Sequence, residues 1–289
     1  MARRIASCDN LSLPSVDVVK KDFKKFKRHH EAAPAVEETA PVIGENSGRL
    51  YVIATPIGNM EDLSIRAKRV LAEVPALACE DTRVTRKILS RYEIPTPGIM
   101  IAYHEHNEEW ATRRVVGLLA SGQNVGLCSN AGVPCLSDPG YHVVRAAIQE
   151  GYAIEMLPGP NAAATALVLS GLPPSSYTFL GFPPRKEGQR RRFFAEEAQR
   201  PHTMIFHESP YRLGSTLADA MVSLGDRRAA VAIELTKMHE TVDRGWLSEL
   251  AAKYEGKQVK GEITVVIAGA NPKFMRASEA TEAPEETEV

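Results

Sequence analysis

At 289 residues, 44% of them apolar and 25% charged, the chain has material for one large or two ordinary domains with a full core. It contains no run of 18 apolar residues, the signature of a membrane span. Its four cysteines show no CxxC pairing, which disfavours a zinc or disulfide scaffold and fits reduced, mostly buried thiols in a cytoplasmic protein. The net charge of −1 hides two biased ends. KKDFKKFKR at 20–28 carries six bases against one acid, and ASEATEAPEETEV at 277–289 carries five glutamates and no base. Neither end offers enough apolar surface to offset ordering entropy, so a disordered basic arm over 1–48 and a disordered acidic tail over 272–289 are expected.

Order begins near Arg49. LYVIA at 50–54 is a short β-rich run that TPIGN breaks, and residues 65–74 carry apolar positions at helical spacing. A strand over 76–79 ends in EDTR, and a helix over 84–92 follows. A strand over 99–103 runs into HEHNE, and a helix over 110–119 leads to a strand over 124–128. SNAGVPCLSDPG then separates that strand from a helix over 141–148. A fifth strand, 153–157, closes on PGPN before a small-residue helix over 162–169. Strands alternating with helices predict α/β architecture with a largely parallel sheet.

GLPP at 171–174 reads as a joint between domains 49–170 and 171–271. Beyond it the pattern predicts a second α/β half. Its strands fall at 177–180, 203–207, 229–235 and 262–268, and its helices near 189–199, 211–224 and 246–253. Ligands of open parallel sheets sit beyond the carboxyl ends of strands. In the first half those places hold TPIGN, EDTR, HEHNE, SNAGVPCLSDPG and PGPNA; in the second they hold GFPPRK, HESP and ELTK.

Singly these motifs are ambiguous. TPIGN is a turn by composition, and neither GxGxxG nor GxxxxGK[ST] occurs at these turns, which disfavours a nicotinamide enzyme or a P-loop ATPase. The small residues around Gly132, Asp138 and Gly140 suit either consecutive β-turns or a backbone cradle for a cofactor. Asp81 reads equally as a helix cap or a functional acid. His104 and His106 share one face of an extended segment but lack a third ligand, so no metal site is expected. The run from Arg185 to Arg192 is a solvated helix start or a grip for phosphates.

In this order the motifs are far more specific. LYVIATPIGN, EDTR, YHEHNE, SNAGVPCLSDPGY, LPGPNA, GFPPRK, HESPYRL and ELTKMHE closely resemble the tetrapyrrole-methylase-like superfamily. Within it they resemble the 16S ribosomal RNA cytidine 2′-O-methyltransferases, over roughly residues 49–270. The resemblance implies two α/β domains, each a mostly parallel sheet flanked by helices, with S-adenosylmethionine in the cleft between them and a homodimer as the usual assembly. It implies a cofactor site built from Pro56, Gly58, Gly132, Ser137, Asp138, Pro139, Gly140, Pro158, Gly159, Asn161, Ala162, Glu208, Ser209 and Pro210.

A ribose hydroxyl is a poor nucleophile, so a base should assist. Asp81 is the first candidate, then Glu80 and His104, with Lys186 steadying charge at the reacting centre. Arg83, Glu105, Asn107, Arg185, Arg190 and Arg191 are expected on the RNA of the small ribosomal subunit. Three positions depart from the resemblance: Asn130 where aspartate is common, Val133 where threonine is common, and Cys135 at a glycine-like position. Members also commonly continue into a small helical domain where this chain carries its acidic tail. RNA docking is then expected to fall to the two domains, a partner subunit or the basic arm. The same fold also suits a methylase of tetrapyrroles or other small molecules, or a protein that binds the cofactor without catalysis.

Overall fold

The computed structural model describes residues 47–276. The basic run and the acidic tail lie outside them, and so does Cys8.

The first lobe holds strands β1 (Leu50–Ile53), β2 (Ala76–Cys79), β3 (Ile99–Ala102), β4 (Val125–Cys128) and β5 (Ile154–Leu157). They form one wholly parallel sheet in the order β3-β2-β4-β1-β5. Helices α1 (Ile65–Glu73) and α2 (Thr82–Arg91) cover one face; α3 (Glu108–Ala120) and α4 (Tyr141–Gln149) cover the other. Strand residues divide by their period of two. Leu50, Val52, Ala76 and Ala78 pack with Ala111, Val115 and Val143, while Ile53, Leu77 and Cys79 pack with Val70, Leu71 and Leu89. Burial on both faces explains why these strands read as unbroken apolar runs rather than alternating ones.

The second lobe holds β6 (Tyr177–Phe179), α6 (Glu187–Ala195), β7 (Thr203–Glu208), α7 (Leu213–Leu224), β8 (Arg228–Ile233), β9 (Thr241–Trp246), α8 (Leu247–Tyr254) and β10 (Ile263–Ile267). Its sheet runs β6-β7-β10-β8-β9. Only the β6–β7 pair is parallel; β7–β10, β10–β8 and β8–β9 are antiparallel. The expectation of a second mostly parallel sheet is therefore corrected to a mixed, chiefly antiparallel one. The physical reason is β9, a strand absent from the sequence reading. No helix separates it from β8, so the chain doubles back as a hairpin. Its half-exposed edge, TVDRGW, carries little apolar signal.

Helices α6, α7 and α8 bury one face of this sheet around Phe194, Phe206, Leu217, Val231 and Leu250. The other face is covered by α5 (Ala162–Ser170), whose Ala163, Ala166 and Leu167 pack on Ile205, Ala230, Ala232 and Val266. The chain thus reaches the second sheet before GLPP, already with α5. Gly171 ends that helix in the left-handed conformation, and Arg244 of β9 donates from Nε to the Leu169 carbonyl at 2.8 Å. Ile57, from the loop after β1, is buried in the same cluster and ties the two lobes together.

Candidate active site

Strands β2, β4 and β1 are neighbours, so the loops after them converge at one end of the first sheet. Thr55 and Gly132 exchange both backbone hydrogen bonds, at 2.8 and 3.0 Å, which locks TPIGN to SNAG. Glu80, at the end of β2, accepts from the Asn130 amide at 3.2 Å. The SNAGVPCLSDPG loop is held in unusual backbone states. Gly132 has φ 77° and Gly140 φ 133°, and non-glycine Cys135 and Ser137 lie at 72° and 63°. Strain of this kind concentrates at ligand clamps. The glycine-like position occupied by Cys135 is thus left-handed, which accounts for the preference the resemblance implies there.

Between the lobes these loops enclose a cleft of about 650 Å3. The first lobe contributes Glu80, Asn130, Gly132, Ser137 and Asp138. The start of α5 adds Asn161 and Ala162, and the second lobe adds His207, Glu208, Ser209, Pro210, Glu262 and Thr264. Four of the lining residues are carboxylates and none is lysine or arginine. Burial, aided by the negative field of Glu80, pushes the Asp138 carboxyl up to about 6. Glu208 is buried and fully engaged: it accepts from Ser209 N, Thr216 Oγ1 and Arg212 Nη2 at 2.6, 2.6 and 2.5 Å. Asn130 Oδ1, in contrast, is buried in the cleft wall with no hydrogen-bond partner among the described residues. An orphaned buried acceptor is costly unless a donor reaches it.

The expected cofactor residues separate into two groups. Gly132, Ser137, Asp138, Asn161, Ala162, Glu208, Ser209 and Pro210 line the cleft. Pro56, Gly58, Pro139, Gly140, Pro158 and Gly159 do not; they shape the loops from behind. A Cβ on Gly140 would meet Cys135 Sγ at 2.9 Å, and one on Gly159 would meet Ala54 Cβ at 2.9 Å.

Of the candidate bases, only Glu80 faces the cleft. Asp81 is turned to its own helix, where it caps α2 by accepting from Arg83 N at 2.8 Å and pairs with the Arg83 guanidinium. That pairing holds its carboxyl down to about 2, which makes it a poor proton acceptor. Both features favour Glu80 over Asp81 as the acid that serves the cleft. His104 lies two residues beyond β3, an edge strand separated from β4 by β2, and so stays outside the cleft, with its buried Nδ1 unpartnered among the described residues. Lys186 stands exposed at the N-terminus of α6, outside the cleft lining.

The RNA candidates are scattered. Arg190 is corrected: it is buried, 5% exposed, and its Nη2 lies 2.5 Å from Asp219 Oδ2 of α7. Arg191 shares Asp219 at 2.8 Å and also pairs with Glu187. Asn107 is occupied structurally, accepting from His104 N and donating to the Ala102 carbonyl. With Glu105 it lines a separate shallow groove between α3 and α4. Arg83 and Arg185 are exposed. The residues the sequence reading missed are the aromatic wall, Tyr177, Phe179, Phe182 and His207, and the strand start at Gly261–Thr264. Phe182 and His207 sit inside GFPPRK and HESP and were within reach; Tyr177 and Phe179 look like ordinary strand core.

Among the described residues no three His, Cys, Asp or Glu side chains group as a metal site, and no helix is long and apolar enough to cross a membrane.

The sequence pattern of the Tetrapyrrole (Corrin/Porphyrin) Methylases matches residues 49–251. Among solved structures, a cobalt precorrin-4 methyltransferase of cobalamin biosynthesis superposes with a TM-score of 0.56 at 16% identity, covering 76% of this chain and 94% of its own. The methyltransferase CobJ gives 0.60 at 17% identity, covering 78% and 95%. Likeness at that identity speaks for the fold alone. Sequence relatives are nearer. A protein of Halalkalibacterium halodurans named Ribosomal RNA small subunit methyltransferase I is 44% identical over 79% of this chain and 78% of its own length. The protein of that name from Bacillus subtilis is 42% identical over 78% and 76%. The chain therefore belongs to the tetrapyrrole methylase family, and within it to the group of ribosomal RNA small subunit methyltransferase I proteins.

Proposed function

We propose that this chain transfers a methyl group from S-adenosylmethionine to the 2′-hydroxyl of a cytidine ribose in 16S ribosomal RNA. The observation that carries the cofactor assignment is the charge of the cleft: Glu80 and Asp138 line it without a basic partner among the described residues, whereas Glu208 and Glu262 are paired with Arg212 and Lys237. Such a site favours a sulfonium cation and disfavours the polyphosphates of ATP or a dinucleotide. The group fits the residues present. The orphaned Asn130 Oδ1 awaits a donor, and the Gly132 and α5 segments bring backbone and small side chains close. The RNA assignment is supported by the names of the relatives at 42–44% identity.

When bound, the cofactor supplies an electrophilic methyl carbon on sulfur. The protein's part is alignment in a water-poor cleft, balance of charge and removal of one proton. Glu80 and Asp138 balance the sulfonium. Asp138 lines the cleft, and its carboxylate, ionised beside the sulfonium, takes the hydroxyl proton as oxygen attacks. Arg212 and Thr216 hold Glu208 rigid behind the cleft. Exposed Arg83, Arg185 and Lys186 meet RNA phosphates, where a cation contributes affinity without sequence preference.

A homodimer is part of this reading: α5 is apolar nearly all round, yet its Val168 stands 76% exposed, a face suited to a second copy. Cytoplasmic location accords with the free Cys79, Cys128 and Cys135 and with a ribosomal substrate. The deciding experiment is transfer of labelled methyl groups to small-subunit RNA, with precorrin-type tetrapyrroles as the competing acceptor. Label in ribose of 16S RNA supports the reading; label only in the tetrapyrrole overturns it.

A further inference from the structure

The aromatic wall of the cleft has no part in charge balance or proton transfer. Tyr177 and Phe179 lie two apart on the edge strand β6 and so project to the same face. Phe179 meets the His207 ring edge-on at 5.1 Å, and Phe182 tilts against that ring at 5.5 Å. His207 is fixed by a contact of Nδ1 with Thr264 Oγ1 at 3.0 Å, and burial holds its pKa below the ordinary histidine value. Tyr177 and Phe182 remain 50% and 56% exposed, two large rings left half in water at the mouth of an acidic cleft.

The chain next to this ledge is basic. Two prolines follow Phe182, and then come Arg185 and Lys186, both exposed and neither in an ion pair among the described residues. Half-exposed rings beside free cations are complementary to one chemistry in particular, a flat heteroaromatic base joined to phosphates. S-adenosylmethionine carries no phosphate, and its one anionic group, the carboxylate, lies at the far end of the molecule from the adenine, so cations beside the ledge would go unmatched if the ledge served that base.

We infer that Tyr177 and Phe182 stack an unpaired base of the RNA substrate while Arg185 and Lys186 hold the phosphates beside it. A base stacked inside a duplex cannot lie on the ledge, so the ledge would hold the strand open at the nucleotide being methylated or next to it. The inference rests on the RNA reading above and adds to it the surface that recognises single-stranded RNA.

The test uses the full chain, its Phe182→Ala, Tyr177→Ala and Phe182→Trp variants, and a 16S RNA transcript. Three quantities are measured: the Kd for the transcript by filter binding, the KM and kcat for methyl transfer to small subunits lacking the modification, and the Kd for S-adenosylmethionine by calorimetry. Either alanine variant should weaken transcript binding and raise the RNA KM about tenfold or more, with cofactor Kd and melting temperature unchanged. Phe182→Trp should restore binding, since stacking needs a ring rather than phenylalanine itself. Equal RNA affinity in both alanine variants overturns the inference. So does a parallel loss of cofactor affinity, which would give the ledge to adenine. A wild-type chain that binds cofactor but methylates no RNA would sink the functional reading, and the transcript-binding comparison would then decide the ledge by itself.

Discussion

Thr55 and Gly132 exchange both of their backbone hydrogen bonds, N to O at 2.8 and 3.0 Å, and so clamp the loops after β1 and β4 into one rim of the cleft. Gly132 holds φ 77° there, and a Cβ would come within 3.3 Å of Ile57 Cγ2, a side chain already buried against the second sheet. Gly132→Ala should cost about 1–2 kcal/mol of stability and weaken cofactor binding more than it lowers the melting point. Paired denaturant melts and calorimetry check both.

Asp138 supplies a pH signature. Its folded value of about 6 stands above the ordinary 3.8, because ionising it in the cleft is unfavourable. The stability it contributes to the empty protein is present below about pH 4 and is lost as pH rises through 6. Cofactor affinity should move the opposite way, strengthening as the carboxyl ionises and meets the sulfonium. Asp138→Asn should flatten both profiles between about pH 4 and 7. Melting curves and titrations across that range, with and without the substitution, are the measurement.

Arg190→Ala should act on folding rather than on RNA. Removing it leaves Asp219 buried beside Arg191 alone, and breaking a buried pair typically costs about 3–5 kcal/mol. Lys186→Ala, at an exposed helix start, should leave the melting temperature within about a degree while reducing RNA affinity at low salt. Urea melts of both variants beside RNA filter binding separate the two roles.

Asp81 and Glu80 are adjacent in sequence and differ in duty. Asp81→Ala should cost about 1 kcal/mol through loss of the α2 cap, with methyl transfer changed only a few-fold. Glu80→Gln keeps the fold and should lower cofactor affinity and turnover at least tenfold. Initial rates at saturating RNA over a cofactor series check this. Equal rates for Glu80→Gln and wild type would remove Glu80 from the site.

The first lobe was legible because its central strands are buried on both faces and its turns are rich in glycine, proline and asparagine. The loops after β1, β4 and β5 announced themselves by those residues. The second lobe was less so: spacing does not tell parallel from antiparallel pairing, and β9 is a polar edge strand. Asp81 misled because a cap and a catalytic acid use the same residue at the same strand end, and only the direction of the side chain separates them. Arg190 looked like part of a solvated run, yet one turn of α6 carries it onto Asp219, a pairing 29 positions distant that no local pattern reveals. Tyr177 and Phe179 gave no such signal, because aromatic residues are ordinary in a strand and only the structure shows Tyr177 half-exposed at the cleft.

The account depends most on the acidic cleft holding a cationic nucleoside. Calorimetric titration of the full chain with S-adenosylmethionine and with its neutral thioether product, S-adenosylhomocysteine, tests that directly, using wild type and the Glu80→Gln/Asp138→Asn double variant. One site per chain is predicted, with the double substitution weakening the sulfonium compound at least tenfold more than the thioether, because only the former carries the charge those carboxylates meet. Absence of binding, or an equal loss for both compounds, would contradict it.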